Sequence, residues 1–127
     1  MNRAERRRAE REQKKAAANR NPDALFAEAL ARHNDGHAAE TLKLIEQLLA
    51  AQPDHLDGLQ LAGMAAIQLG DADKALQFLA NKTRLDPGNA YGHVNHGAAL
   101  QMKGDLEMAA DHFRRAIALN AGLAEAH

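Results

Sequence analysis

Gly36, Gly70 and Gly104 stand 34 residues apart, and each opens a similar stretch: GHAAETL, GDADKAL and GDLEMAA. Self-similarity at a fixed period of roughly 20 to 50 residues means one supersecondary unit copied along the chain, each copy burying its apolar face only against its neighbours. The register holds well beyond the glycines. Leu25, Leu59 and His93 coincide, as do Ala29, Gly63 and Gly97, then Thr41, Ala75 and Ala109, then Ile45, Leu79 and Phe113, and finally Pro53, Pro87 and Ala121. Within the units, apolar residues return at three and four positions, as in Leu76, Leu79 and Ala80 or Phe113, Ala116 and Ile117, which is the period of a helix. One Tyr, three Phe and no Trp leave Leu and Ala to fill the core, and these are strong helix formers.

Caps divide the same stretch into helices. Asn21-Pro22-Asp23 reads as an N-cap, a proline at the first helical position and a first-turn acid. Each repeated glycine supplies the left-handed conformation that ends a helix. Asp71 and Asp105 follow as N-caps, with Asp73 and Glu107 in the first turn where the macrodipole favours negative charge. His37 takes the capping place in the first unit, so that helix is expected to start less firmly. Gly63 and Gly97 fall inside helices, where each costs about 1 kcal/mol relative to Ala. Such a cost is expected where two helices approach closely, and the small residues Ala75 and Ala109 mark the predicted crossing points.

These positions resemble the tetratricopeptide repeat, with "LQLAGMAAIQLGDADKALQFLANKTRLDPGN" the nearest stretch to its pattern. The resemblance extends over about 22–123 and implies an all-α fold. That fold is an α-solenoid of three antiparallel helix pairs forming a superhelix, with units at about 22–55, 56–89 and 90–123. A basic arm, residues 1–20, precedes them. Glu28 and Arg32 depart from the pattern in the first unit, and Lys82 stands in the second where a small residue is expected.

The resemblance further implies a protein–protein interaction scaffold, bacterial and cytoplasmic, whose first helices line a concave groove for a peptide or helix. Carried over, the groove residues are Phe26, Leu30 and His33, then Gln60, Met64 and Ile67, then Tyr91, Val94, Asn95, Gln101 and Met102. Members that hold a C-terminal carboxylate use cations and amides there. Phe26, Leu30, Gln60, Val94 and Ala98 stand in those places here, so an apolar ligand is expected instead. The alternative is a substrate-presenting region of a larger enzyme similar to bacterial O-linked N-acetylglucosamine transferases.

Charge separates the arm from the rest. Residues 1–20 sum to +5 and residues 21–127 to −6. The arm holds no large apolar residue past Met1, so it reads as a frayed helix or as disordered, and it is the one route by which nucleic acid would be held. No Cys and no Ser occur, and no Walker or dinucleotide-binding pattern, so no catalytic residue and no cofactor is expected. His93 and His96 have a spacing that a metal could bridge, but they fall on packing positions, and packing is the preferred reading. No apolar run is long enough for a membrane span. Ala124-Glu125-Ala126-His127 lines up with Ala90-Tyr91-Gly92-His93, so residues 124–127 read as the start of a further repeat helix. The chain is accordingly expected to be the front of a longer repeat protein, or else to cover its last helix pair by self-association.

Overall fold

The computed structural model describes residues 2–18 and 21–126, which form helices and no strand. They are α1 (Arg3–Ala18), α2 (Pro22–Asn34), α3 (Ala38–Ala51), α4 (Leu56–Gln68), α5 (Ala72–Leu85), α6 (Ala90–Lys103) and α7 (Leu106–Ala126). Among the described residues, no helix is long and apolar enough to cross a membrane.

The three repeated glycines make the turns inside the pairs. Gly36, Gly70 and Gly104 have φ of 81°, 76° and 89°, and they are the only positive-φ residues described. At each, the residue after the glycine returns its N–H to a carbonyl five positions back: His37 to Arg32 at 2.8 Å, Asp71 to Ala66 and Asp105 to Leu100 at 2.9 Å. This is the helix ending that a left-handed residue permits.

Each following helix then starts as its first residue allows. Asp71 accepts from the Lys74 N–H at 3.1 Å and Asp105 from the Met108 N–H at 3.3 Å, whereas His37 makes no side-chain cap bond. The first helices of the pairs are capped by a second set at the same period. Asn21 accepts from the Asp23 N–H at 2.8 Å, His55 Nδ1 from the Gly58 N–H at 2.8 Å, and Asn89 from the Gly92 N–H at 2.9 Å.

The pairs α2/α3, α4/α5 and α6/α7 pack in series, α3 against α4 and α5 against α6. In addition α2 touches α4 and α4 touches α6, while among the described residues no such contact joins α3 to α5 or α5 to α7. The first helices of the pairs are thus the crowded row, and the stack curves with α2, α4 and α6 inside. Leu25, Ala29, Leu42, Ile45, Leu48, Leu61, Ala62 and Ala65 form the core of the first three helices of the stack. Ala66, Ala75, Leu79 and Ala99 carry it onward.

Several expectations change on the structure. The mid-helix glycines receive large side chains, not alanines: a Cβ on Gly63 would lie 2.4 Å from Leu79 Cγ, and one on Gly97 would lie 2.7 Å from Phe113 Cε1. Lys82 stands at the position held by Leu48 in the first unit and Ala116 in the third, lies only 3% exposed, and reaches Asp86 Oδ2 at 3.4 Å. Residues 124–126 do not open a helix of their own but continue α7. The reason is local, since Ala121 stands where Pro53 and Pro87 follow the earlier helices, and alanine stops nothing. His127 lies outside the described residues. The arm is helical over Arg3–Ala18 and rests against α3.

Candidate functional site: the groove between α2 and α4

The inner row leaves a cavity of about 190 Å³ between α2 and α4. Phe26, Leu30 and His33 face it at successive turns of α2, and Asp57, Gln60, Leu61 and Met64 face it from α4. Spacings of three and four residues put each set on one side of its helix. Five of the groove residues named from the sequence therefore share one cavity: Phe26, Leu30, His33, Gln60 and Met64.

Asp57 joins them from the first turn of α4. Leu61 was missed, because it is a core residue whose edge forms the floor, and burial of only one side of a side chain leaves no trace in spacing. The remaining candidates do not line this cavity. Ile67 is half-buried against the second core. Tyr91, Val94 and Met102 are exposed on α6, Tyr91 at 77%, as is Gln101, while Asn95 is half-buried.

The walls are held by the N-terminus of α4. His55 uses Nδ1 to cap Gly58 and sets its ring 5.6 Å from that of Phe26, centroid to centroid. Leu48 closes over the same turn, 2.7 Å from where a Gly58 Cβ would be. Among the described residues, His33 Nδ1, Gln60 Oε1 and Gln47 Oε1 are buried without a hydrogen-bond partner, the first two behind the side chains that line the groove. Buried polar groups normally find partners, so these atoms are exceptions.

The second candidate, the His93/His96 pair, lies in the third helix pair and is joined there by His112 of α7. Thr83 Oγ1 donates to the Leu79 carbonyl at 2.9 Å and so accepts from His96 Nδ1–H at 3.1 Å. His93 Nε2–H donates to the Pro87 carbonyl at 2.7 Å, leaving its bare Nδ1 to accept from His112 Nδ1–H at 3.0 Å. Both nitrogens of His93 are thus engaged within the chain. The rings of His96 and His112 stack with centroids 4.0 Å apart. Burial first, then the neighbouring charges of His112, His93 and Arg115, push His96 down to about 4. Burial, His93 and Arg115 lower His112 as well. Among the described residues, no group of three or more His, Cys, Asp or Glu is placed to hold a metal ion. His112 was not anticipated in this cluster, because it joins the other two only through the packing of α6 on α7.

No family model matches the sequence. Among curated proteins, the chain is 32% identical over 72 residues to tetratricopeptide repeat protein 36 of Mus musculus, covering 57% of this chain and 39% of that protein. It is 35% identical over 71 residues to the CTR9 homolog of Arabidopsis thaliana, covering 56% of this chain and 6% of that protein. Among solved structures, MamA from Desulfovibrio magneticus superposes with a TM-score of 0.76 at 20% identity, covering 80% of this chain and 57% of that one. The chain has the fold of the tetratricopeptide-repeat proteins.

The first tetratricopeptide-repeat domain of Spaghetti, solved with an HSP90 peptide, gives a TM-score of 0.74 at 17% identity over 77% of this chain and 78% of that one. The O-GlcNAc transferase of Thermobaculum terrenum gives 0.73 at 26% identity, covering 77% of this chain and 19% of that one. The chain spans about two fifths of the mouse relative's length and a much smaller part of the Arabidopsis protein.

Proposed function

We propose that this chain is a non-catalytic, cytoplasmic interaction module that binds a polypeptide segment along its inner row of helices. The cavity between α2 and α4 carries the reading. Its walls of Phe26, Leu30, Leu61 and Met64 are apolar, and Leu30 is exposed at its edge, as Val94 and Met102 are further along on α6. An exposed apolar stripe marks a site of interaction. The Spaghetti domain holds a peptide ending in EEVD. In this chain the cavity side chains offer a lone His, an amide and a carboxylate, so a C-terminal carboxylate is not the expected ligand.

Peptide selection against the full chain tests this, followed by the double variant Leu30→Lys, Met64→Lys, both at the cavity. Selected peptides should lose binding to the variant while its helical circular dichroism and melting temperature are retained. Undiminished binding would overturn the groove reading. RNA association through the arm makes the opposite forecast, namely binding that falls steeply with salt and disappears with residues 1–20.

A second reading follows from the 26% identity to the O-GlcNAc transferase. In it the inner row presents a protein substrate to a glycosyltransferase on the same polypeptide. Reading the coding frame onward from the His127 codon decides between the two.

A further inference from the structure

α3 packs on α4 and α5 packs on α6 through equivalent positions 34 residues apart, so α7 carries the corresponding face on the far side of the third pair. Among the described residues that face is bare. Ile117 is 68% exposed, whereas its counterparts Leu49 and Thr83 are half-buried, and Leu106 is exposed where Ala38 is buried. An open hollow of about 460 Å³ lies there, lined by Leu106, Glu107, Ala110, Asp111 and Arg114. The opposite end of the stack shows the matching surface. Ala24, Ala27 and Ala31 of α2 are exposed, while their counterparts in α4, Gly58, Leu61 and Ala65, are buried.

Side chains say what fits between the two ends. Across the first junction Glu46 of α3 meets Lys74 of α5 at 2.8 Å. One unit on, the same two positions hold Ala80 and Met108, both uncharged. One unit further they fall on Arg114 of α7 and, where a first unit follows, on Glu40, an ion pair with its signs reversed. Size is exchanged in the same way. Leu48 lies over Gly58 at the first junction and Lys82 beside Gly92 at the second, while between the ends Ala116 faces Ala24, which carries the β-carbon that those glycines lack. Within one chain Arg114 pairs with Asp111, and Glu40 with Arg32 and His37, exposed contacts that are exchanged at little cost. One position opposes the fit. Asp73 pairs with Lys103 across the second junction, and the corresponding residues of the two ends, Glu107 and Asp35, are both acidic.

We propose that copies of this chain associate head to tail, α7 of one receiving α2 and the start of α3 of the next in the register of the internal junctions. A contact between two different faces that repeats the rotation of a superhelix extends it as an open filament.

Sedimentation velocity of the full chain in low salt, over a range of concentrations, tests this. The mean mass should rise past the dimer without a plateau. Arg114→Glu and Glu40→Arg each set like charges together at the contact and should weaken association about tenfold at low salt. Mixing the two variants in equal amounts should restore it, because each then meets the other's reversed partner. Glu107→Lys turns the opposing pair into an attractive one and should tighten association. All three side chains are exposed, so helical circular dichroism should be unchanged. A chain that stays monomeric up to its solubility limit overturns the proposal. So does a plateau at the dimer, the mark of a symmetric α7–α7 contact, or a mixture that associates no more than either variant alone.

Discussion

Leu79 of α5 rests directly on Gly63 of α4, so closely that a β-carbon on the glycine would lie 2.4 Å from Leu79 Cγ. One period later Phe113 of α7 rests on Gly97 of α6 in the same way, 2.7 Å from the corresponding position. In the first pair the equivalent positions hold Ala29 and Ile45, both fully buried. Each unit therefore keys its second helix into its first through one small residue and one large one, 16 positions apart in every unit.

Gly63→Ala should destabilise the chain despite the better helix propensity of alanine. Propensity contributes about 1 kcal/mol in favour. Overpacking of a fully buried leucine costs about 1 to 3 kcal/mol, and the 2.4 Å approach places this site at the upper end, so the net expectation is a loss of about 1 to 2 kcal/mol. Gly97→Ala should cost less, because Phe113 is half-buried and its ring has room to swing. Urea unfolding of both variants gives the order. Equal or increased stability of Gly63→Ala would contradict the contact.

The period, the turns and the helix starts were legible in the sequence because each depends on a local choice: glycine for positive φ, aspartate for an N-cap. Which large residue sits on which glycine was not legible. Ala75 was the expected partner of Gly63, and Leu79, one turn further on, fills the space instead. A residue three or four positions along the same face satisfies the same periodicity, and only the depth of the helix crossing separates the two. The groove was legible as a set of positions on α2 and α4. The orphaned atoms of His33 and Gln60 were not, since hydrogen-bond satisfaction depends on every neighbour in space. How Lys82 fits a position held by Leu48 and Ala116 in the other units was not legible either, because it depends on its long stem packing and its ammonium finding a carboxylate.

Lys82→Leu should raise stability. Lys82 is the counterpart of Leu48, which seals the N-terminal turn of the next helix against Gly58, and Lys82 runs alongside Gly92 in the same relation, 3.5 Å from where its Cβ would be. Replacing a buried charge by a hydrophobic residue of similar size is often stabilising, and about 1 kcal/mol is expected here. Asp86→Asn should do the reverse by leaving the buried ammonium without its partner at 3.4 Å. Guanidinium unfolding midpoints of the two variants should move in opposite directions.

His37→Asp should firm the start of α3. The backbone of His37 (φ −94°, ψ 71°) nearly matches that of Asp71 (φ −94°, ψ 84°), which caps α5 through the Lys74 N–H. A capping aspartate contributes roughly 0.5 to 2 kcal/mol, and loss of the exposed His37–Glu40 contact takes back only a small part of that. Amide hydrogen exchange at residues 39–41 should slow in the variant, whereas Asp71→Ala should accelerate it at residues 73–75.

Acid should loosen the third helix pair before it affects the first. In the folded chain His96 protonates only near 4, chiefly because it is buried and next because His112, His93 and Arg115 bring positive charge or compete for it. The surroundings offer little compensation. From α5 and the turn after it, the cluster meets Thr83 and the Pro87 carbonyl, and from α7 Asp111 and Arg115, of which only Asp111 favours a charged His112. Unfolded, the same imidazoles protonate near 6.5. Above that value neither state binds the proton and stability is level. As the pH falls below it, the unfolded chain takes up protons that the folded chain refuses, so stability declines through the window between about 6.5 and about 4. Melting temperatures recorded from about pH 7 to about pH 5 avoid most carboxylate titration and should fall steadily. His96→Leu should flatten that slope. An unaltered slope in His96→Leu would show that the stacked imidazoles do not govern the acid response.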